Sequence, residues 1–475
     1  MAHHQKQPKT TDNSPKTTDN TPKTTDTRDT DVVDYDDPPI DGATDWQAPP
    51  SPGHFTYGVE LQFLVPFILK DSNDPHPGDP RPVLVVDIER DGYEGAGSQV
   101  EAIVLDTIRR LGHVPTWTHT GPPYPDYTEV ISHMDSESQA VAYKPPYSQW
   151  VVEIDNSLLY DEDTLGGKYY WIGVRVKSSK RNWSWDNHFD QIGNVVTALR
   201  QEIRMRVAPT TFLNVHVGYS RHWEDSNDTA LRRLCTMWWF IEHHIWSLTH
   251  PSRREELESN SLRAFSLLGA LPMEDLLETY NNDGKRRADF IQGYRAMHAI
   301  IPRQRMLRRE RAEIEVMWRA DDAKILCQMM TVMKIEPVRM RQGMLTKPFP
   351  TFGRGNLGFQ GFCKDALPVK VPQNNNGDTG TVEFRTMEGT LDPELIIHWV
   401  TVVIRLYAFA WMGNSNDIKV ILARAGASSY DGPTLLEDID LPIQAEYFRQ
   451  KAKDDEENVR RGSVDESFVP PYQNN

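Results

Sequence analysis

The fold is decided by residues 381–393, Thr-Val-Glu-Phe-Arg-Thr-Met-Glu-Gly-Thr-Leu-Asp-Pro. Polar and apolar residues alternate at the start of this stretch, which predicts the end of a β-strand. The alternation places Glu383 and Arg385 on the same face of that strand. Asp392 followed by Pro393 predicts the start of a helix, because aspartate caps exposed amides and proline suits the first helical position. A carboxylate and a guanidinium side by side can hold a cation and a phosphoryl group.

Three other stretches show the same alternation, and the first of them, residues 57–63, lies far from residue 383 in the chain. We expect the 57–63 strand to pair with the strand that carries Glu383, which would bring distant acids together. The four predicted strands carry these polar pairs, each on one face: Glu60 and Gln62, Glu153 and Asp155, Asn214 and His216, and Glu383 and Arg385. A face so rich in carboxylates repels itself unless cations lie on it.

These polar pairs predict a metal site. Oxygen ligands without thiolates favour Mg²⁺ or Mn²⁺ over Zn²⁺, so Glu60, Gln62 and Glu383 are the candidate metal ligands. Taken alone, Glu60 is better explained as a solvent-facing acid, and His216 as a histidine satisfied on a polar sheet face. Only the combination of four strands favours a functional site.

The charge of the chain argues against nucleic-acid binding. The 475 residues carry a formal net charge of -16, with a pI near 5.4, whereas phosphate contacts need a basic surface. The basic run at residues 303–311 is better explained as a solvated helix face than as a phosphate-binding surface.

The cysteines and apolar stretches indicate a location inside the cell. Cys235, Cys327 and Cys363 are widely spaced and odd in number, which fits a reducing compartment and structural thiols. The N-terminus has no apolar signal-peptide core, so we expect a cytoplasmic protein, with a nuclear one not excluded. His398 and Arg405 interrupt the longest apolar run, which therefore predicts a buried core helix and no membrane association.

The chain divides into a tail, one large domain and a second tail. Residues 1–54 contain three copies of a Pro-Lys-Thr-Thr-Asp repeat and an acidic stretch, so we expect them to be disordered. Residues 55–450 are expected to form the domain, with a charged helical part at 251–330, and residues 451–475 a polar tail. Few strands separated by long helices predict an α+β fold, with an antiparallel sheet and helices on one side.

The four strand motifs resemble those of the amidoligase family found in fungi. The motifs are residues 57–63 (Tyr-Gly-Val-Glu-Leu-Gln-Phe), 150–157 (Trp-Val-Val-Glu-Ile-Asp-Asn-Ser), 214–218 (Asn-Val-His-Val-Gly) and 383–392 (Glu-Phe-Arg-Thr-Met-Glu-Gly-Thr-Leu-Asp). That family is similar to glutamine synthetase and glutamate–cysteine ligase, within the carboxylate–amine ligase superfamily. The resemblance covers residues 55–415, and its last motif is the most specific.

The resemblance implies a curved antiparallel sheet that binds ATP and Mg²⁺ or Mn²⁺. It implies that a small-molecule or peptide carboxylate is phosphorylated to an acyl phosphate, which an amine then converts to an amide or peptide bond. The resemblance implies that Glu60, Gln62 and Glu383 bind the metal, and that His216, Asn214 and Arg385 contact the nucleotide phosphates. Arg385 would also stabilise the transferring phosphoryl group, and Asp155 would act on the acceptor amine. Glu388 would be a further acid of the site or a cap of the following turn. The motifs do not specify the acid, the amine or the oligomeric state.

One segment departs from the family pattern. Residues 171–179, Trp-Ile-Gly-Val-Arg-Val-Lys-Ser-Ser, carry Arg175 where the family has a glutamate, and Lys177 follows on the same face. A cation in place of a metal-binding carboxylate is expected to weaken or remove one metal site. The cations could instead contact phosphate directly, or the protein could be a catalytically degenerate member that acts as a binding or scaffold protein. These alternatives remain open at the level of sequence.

Overall fold

A computed structural model of the protein describes residues 55–112, 116–118, 149–156, 158, 169–183, 189–208, 210–219, 228–253, 261–272, 274, 291–302, 307–320, 323–335, 350–353, 355–359, 381–460 and 469. The predictions for the tail at 1–54, for Cys363 and for residues 303–306 of the basic run lie outside these residues. Cys235 and Cys327 are both buried, as expected for structural cysteines.

The described part of the chain forms a mixed α+β fold around one large, open and mainly antiparallel sheet. The strands are β1 (Phe55–Leu69), β2 (Leu84–Val86), β3 (Thr116–Thr118), β4 (Trp150–Ile154), β5 (Tyr170–Lys177), β6 (Arg181–Asn182), β7 (Phe212–Tyr219), β8 (Val332–Ile335), β9 (Pro350–Gly353), β10 (Leu357–Gly358) and β11 (Thr381–Glu388). The order across the sheet is β10-β11-β7-β1-β5-β4-β3, and β2 and β6 also pair with β1. The β1–β2 and β3–β4 pairs are parallel. Strands β8 and β9 form a separate ribbon.

The central strand β1 sets the register of its neighbours. Glu60 lies opposite Lys177 of β5 on one side and opposite Asn214 of β7 on the other. Strand β11 pairs with β7 and not with β1, so the predicted direct pairing of the 57–63 strand with the Glu383 strand is wrong. The two strands still share a sheet face, because β7 lies between them and contributes Asn214 and His216 to it.

Twelve helices are described: α1 (Ile88–Arg109), α2 (Asp190–Glu202), α3 (Asp228–Trp246), α4 (Leu262–Phe265), α5 (Leu267–Ala270), α6 (Ile291–Ile300), α7 (Arg308–Arg319), α8 (Ala323–Met329), α9 (Pro393–Met412), α10 (Ser415–Ala425), α11 (Gly432–Asp438) and α12 (Pro442–Arg460). Helix α1 packs on β3, β4 and β5, and α9 packs on β1 and β7. The side chain of Asp392 accepts a hydrogen bond from the amide of Glu394, so the predicted start of α9 is confirmed. Helix α12 continues to Arg460, past residue 450, where the sequence places the end of the domain.

One face of the sheet forms the main hydrophobic core. The odd-numbered residues of β1, from Phe55 to Phe67, are buried there against the helices, because successive side chains of a strand point to opposite faces. Helix α9 is long and apolar enough to cross a membrane, but 72% of its most apolar window is buried inside the protein. The opposite face of the sheet carries a smaller apolar cluster, which includes Leu64 and Trp171, and next to it the polar residues described below.

Candidate functional site

The polar residues predicted from four separate motifs lie on one face of five adjacent strands. We call this surface the polar face. Its residues lie on strands β1, β4, β5, β7 and β11, with Asp155 directly after β4: Glu60, Gln62, Glu153, Asp155, Arg175, Lys177, Asn214, His216, Glu383 and Arg385. Strand β5 contributes the two cations Arg175 and Lys177, and the other four strands contribute the polar pairs that the sequence predicts.

Glu60 lies at the centre of the polar face. Its Oε1 atom lies 3.2 Å from Arg175 Nε and accepts a hydrogen bond of 3.0 Å from Asn214 Nδ2. Its Oε2 atom lies 3.9 Å from His216 Nε2. Burial alone would raise the pKa of Glu60, but contact with His216 and the charges of Arg175 and Lys177 outweigh it and hold the pKa well below its usual range. Glu60 is therefore a buried, ionised carboxylate.

Arg175 joins Glu60 to Asp155. Its Nη2 atom donates a 2.5 Å hydrogen bond to Asp155 Oδ2, while Nε faces Glu60. Gln62 completes the link, because its Nε2 atom lies 3.4 Å from both Glu60 Oε1 and Asp155 Oδ2. Burial lowers the pKa of Arg175, but the charges of the two carboxylates raise it above its ordinary value. The guanidinium therefore lies between Glu60, a predicted metal ligand, and Asp155, which the resemblance assigns to the acceptor amine.

Gln62, a predicted metal ligand, and Asn214, a predicted nucleotide contact, both make hydrogen bonds within the sheet. Gln62 Oε1 accepts a 3.0 Å hydrogen bond from the backbone amide of Phe212. Asn214 lies opposite Glu60 on β7, is completely buried and donates a hydrogen bond to that carboxylate, so it has no surface exposed to a nucleotide.

Strand β11 brings Glu383, Arg385 and His216 together. Arg385 Nη1 donates a 2.8 Å hydrogen bond to Glu383 Oε1, and His216 Nε2 lies 3.9 Å from the same oxygen. His216 thus stands between Glu60 and Glu383. Its side chain keeps 37% of its surface exposed, whereas both carboxylates are buried. A ligand approaching from solvent would reach His216 before either acid.

The rim of the polar face is formed by Lys177 and Glu153. Lys177 Nζ lies 2.8 Å from Glu153 Oε2, and the lysine side chain is 36% exposed. The polar face then contains four carboxylates, at Glu60, Glu153, Asp155 and Glu383, against three cations, at Arg175, Lys177 and Arg385. A face rich in carboxylates needs cations to offset their repulsion, and here arginine and lysine side chains of the protein supply positive charge.

No group of three or more histidine, cysteine, aspartate or glutamate residues in the described part of the chain is arranged to hold a metal ion. Strand β5 contributes Arg175 and Lys177 to this face, and neither side chain can be an oxygen ligand of a divalent cation. The metal-binding roles of Glu60, Gln62 and Glu383 stay predictions.

Glu388 belongs to a different environment. Its Oε1 atom lies 2.6 Å from Lys451 Nζ on α12, and its Oε2 accepts a 3.0 Å hydrogen bond from the amide of His250. Burial would raise the pKa of Glu388, but the charge and hydrogen bond of Lys451 and the amide of His250 lower it. Glu388 therefore connects the end of β11 to α12 and to the chain after α3.

Sequence reasoning missed two residues that shape the polar face. Phe212 alternates with Asn214 and His216, so strand periodicity alone could have placed its ring on the same face. Asn356 accepts a 2.9 Å hydrogen bond from the amide of Arg385 through its carbonyl oxygen, and no local signal identifies this contact.

Comparison of the chain with protein-family models, with curated proteins and with solved structures gives no match. The resemblance to amidoligases therefore rests on the four strand motifs and on their convergence on one sheet face.

The depressed pKa of Glu60 predicts how stability depends on pH. Such a group contributes stability above its unfolded pKa, near 4.5, and this contribution is lost as pH falls towards the lower folded pKa. Glu60→Gln is expected to lower the free energy of unfolding at pH 7 by about 2 kcal/mol, since charge-assisted hydrogen bonds are lost. It should also flatten the decline below pH 4.5. Urea unfolding at several pH values measures both effects.

Glu153→Gln is the matched control for this prediction, because Glu153 is a carboxylate of the same face with a more exposed side chain. It should lower the free energy of unfolding at pH 7 by less than Glu60→Gln does, because its side chain is more exposed. A Glu60→Gln profile that is parallel to the wild type throughout the acid range would contradict the assignment of Glu60 as a buried, ionised group.

Proposed function

We propose that this protein is a catalytically degenerate, amidoligase-like binding or scaffold protein. The observation that carries the proposal is the position of Arg175, whose guanidinium contacts Glu60 and Asp155 at 3.2 and 2.5 Å. Arg175 supplies the positive charge that the family resemblance assigns to a metal ion. The polar face then stabilises the sheet and presents its exposed rim without needing a divalent cation.

Electrostatics support this proposal. A divalent cation could enter between Glu60 and Asp155 only by displacing a guanidinium that already makes charge-assisted interactions with both acids. The side chain of Arg175 is only 20% exposed in its present position. Once displaced, it would need new hydrogen-bond partners or would have to move into solvent. Breaking a buried pair in this way costs about 3–5 kcal/mol, which a metal ion would have to offset.

A second function, an ATP- and Mg²⁺-dependent carboxylate–amine ligase, is favoured by a different observation. His216 lies 3.9 Å from both Glu60 and Glu383, and Arg385 is held by Glu383. These are the residues that the resemblance assigns to metal and phosphate. In such a ligase, bound MgATP would supply the phosphoryl group that activates the carboxylate substrate.

The chain's own residues would divide the remaining work in that ligase. Glu60 and Glu383 would hold the metal, His216 would contact the nucleotide phosphates, and Arg385 would stabilise charge on the transferring phosphoryl group. Asp155 would orient the acceptor amine or take its proton, which requires that Arg175 first release it. The partners would be a small-molecule or peptide acid and an amine.

Calorimetric titration of ATP into the purified full-length protein, with and without Mg²⁺, separates the two functions. The binding or scaffold proposal predicts no Mg²⁺-dependent heat of binding. Micromolar binding that needs Mg²⁺ and disappears in Glu60→Ala and Glu383→Ala would contradict it and support the ligase. Glu153→Ala is the matched control, because Glu153 pairs with Lys177 at the rim and has no predicted role with metal.

A further inference from the structure

Strand β11 contains a β-bulge at the position of Arg385. Phe384 lies opposite Val215 of β7, whereas Met387 lies opposite Leu213, so β11 has one more residue than β7 between the two pairs. A bulge bends its strand and changes the direction of the local side chains. Arg385 lies within this bulge, and its guanidinium reaches Glu383 on the polar face.

The bulge is held at two ends. On the side of the edge strand, the amide of Arg385 donates to the carbonyl oxygen of Asn356. Towards the end of β11, Glu388 pairs in register with Phe212 of β7. Glu388 lies three residues after Arg385 on the same strand, so the groups that contact Glu388 lie close to the bulge.

Lys451 of α12 fixes Glu388. The lysine side chain is only 11% exposed, and its Nζ atom lies 2.6 Å from Glu388 and 2.6 Å from Asp455. Two carboxylates around one buried ammonium make an interaction that is strongly destabilised when one partner is removed. The amide of His250 donates to the other oxygen of Glu388, so the carboxylate has partners from two separate parts of the chain.

The ring of Phe212 extends this connection to the polar face. The guanidinium carbon of Arg253 lies 4.2 Å from the ring centre, and that of Arg385 lies 5.6 Å from it. The amide of Phe212 also donates to Gln62. The register pair of Glu388 and Phe212 thus contacts α12 on one side and two residues of the polar face on the other.

We propose that Lys451 is a positioning residue, which holds Glu388 and through it the bulge that directs Arg385 to the polar face. Helix α12 then stabilises the polar face through the contact of Lys451 with Glu388. This contact determines the direction in which the side chain of Arg385 points. The inference rests on the bulge and its contacts, and it applies whether the polar face binds a metal nucleotide or another partner.

Lys451→Met tests this inference in the full-length protein by hydrogen exchange. We expect amides of residues 381–388 to exchange about tenfold faster or more, which corresponds to about 1.4 kcal/mol of lost local stability. Amides of α9 and α3 should exchange as in the wild type. Arg449→Met is the matched control, because Arg449 is on the same helix and pairs with Glu437 and Glu446 at the surface.

A second measurement reports on Arg385 itself. The Nε–H resonance of Arg385, assigned by its loss in Arg385→Lys, is expected to shift in Lys451→Met and to return towards its original position in Lys451→Arg, which keeps a positive charge. A purely structural role would loosen the domain as a whole. Uniformly faster exchange with an unshifted Arg385 resonance, or unchanged exchange at residues 381–388, would overturn the proposal.

Discussion

Arg175→Glu is expected to lower the free energy of unfolding by about 3 kcal/mol when divalent cations are removed by a chelator. The wild-type guanidinium contacts Glu60 and Asp155, both of which are buried. Removing one partner of a buried ion pair leaves an uncompensated charge, and the new glutamate adds another. We place the value at the lower end of the usual range because Arg175 keeps some solvent contact. Urea unfolding of the two proteins measures the difference.

The effect of divalent cations on the stability of Arg175→Glu distinguishes a metal-like role of Arg175 from a general loss of packing. If Arg175 takes the place of a metal ion, the substituted site has three carboxylates facing one another, and Mg²⁺ or Mn²⁺ should restore part of the lost stability. The wild type and Arg175→Lys should not respond to either ion. An Arg175→Glu protein as stable as the wild type in chelator would contradict the role of the guanidinium.

Trp238→Ala is expected to destabilise the protein by about 3–5 kcal/mol, as usual for a large aromatic side chain removed from a core. Trp238 is 1% exposed on α3. Its ring meets that of Phe384 nearly edge to face, with 5.7 Å between the centres. Phe384 lies between Glu383 and Arg385 on β11, so the same contact supports the strand that carries both residues. The midpoint and slope of urea unfolding measure the loss.

Trp238→Phe is the control for this prediction, because it keeps an aromatic ring in the same space and removes less buried surface. It should cost clearly less than the alanine substitution. A loss below about 1 kcal/mol in Trp238→Ala, the size of an average substitution, would mean that α3 does not support the sheet through this contact.

The local features of the fold could be predicted from the sequence because they depend on neighbouring residues. Alternation places Glu60, Asp155, His216 and Glu383 on strands, and the structure confirms that each lies on the polar face. The start of α9 is equally local, since Asp392 caps a helix that Pro393 begins. The same alternation shows Arg175 and Lys177 on that face.

The arrangement of the strands could not be predicted in the same way. The pattern around Asn214 fits equally well beside β1 or beside β11, and only the tertiary structure shows that β7 separates the two. Which acid Arg175 contacts also depends on the register of β5 against β1 and β4. Lys451 lies 63 residues from Glu388, and no local pattern links a lysine on an amphipathic helix to a distant strand end.

The central claim is that the guanidinium of Arg175 serves in place of a metal ion, and Mn²⁺ binding to the wild-type protein tests it most directly. Electron paramagnetic resonance of free Mn²⁺ during a titration measures the bound fraction, with Arg175→Glu as the comparison. We predict no stoichiometric binding by the wild type at micromolar concentrations of Mn²⁺. Stoichiometric binding by the wild type that is abolished in Glu60→Ala would contradict the claim.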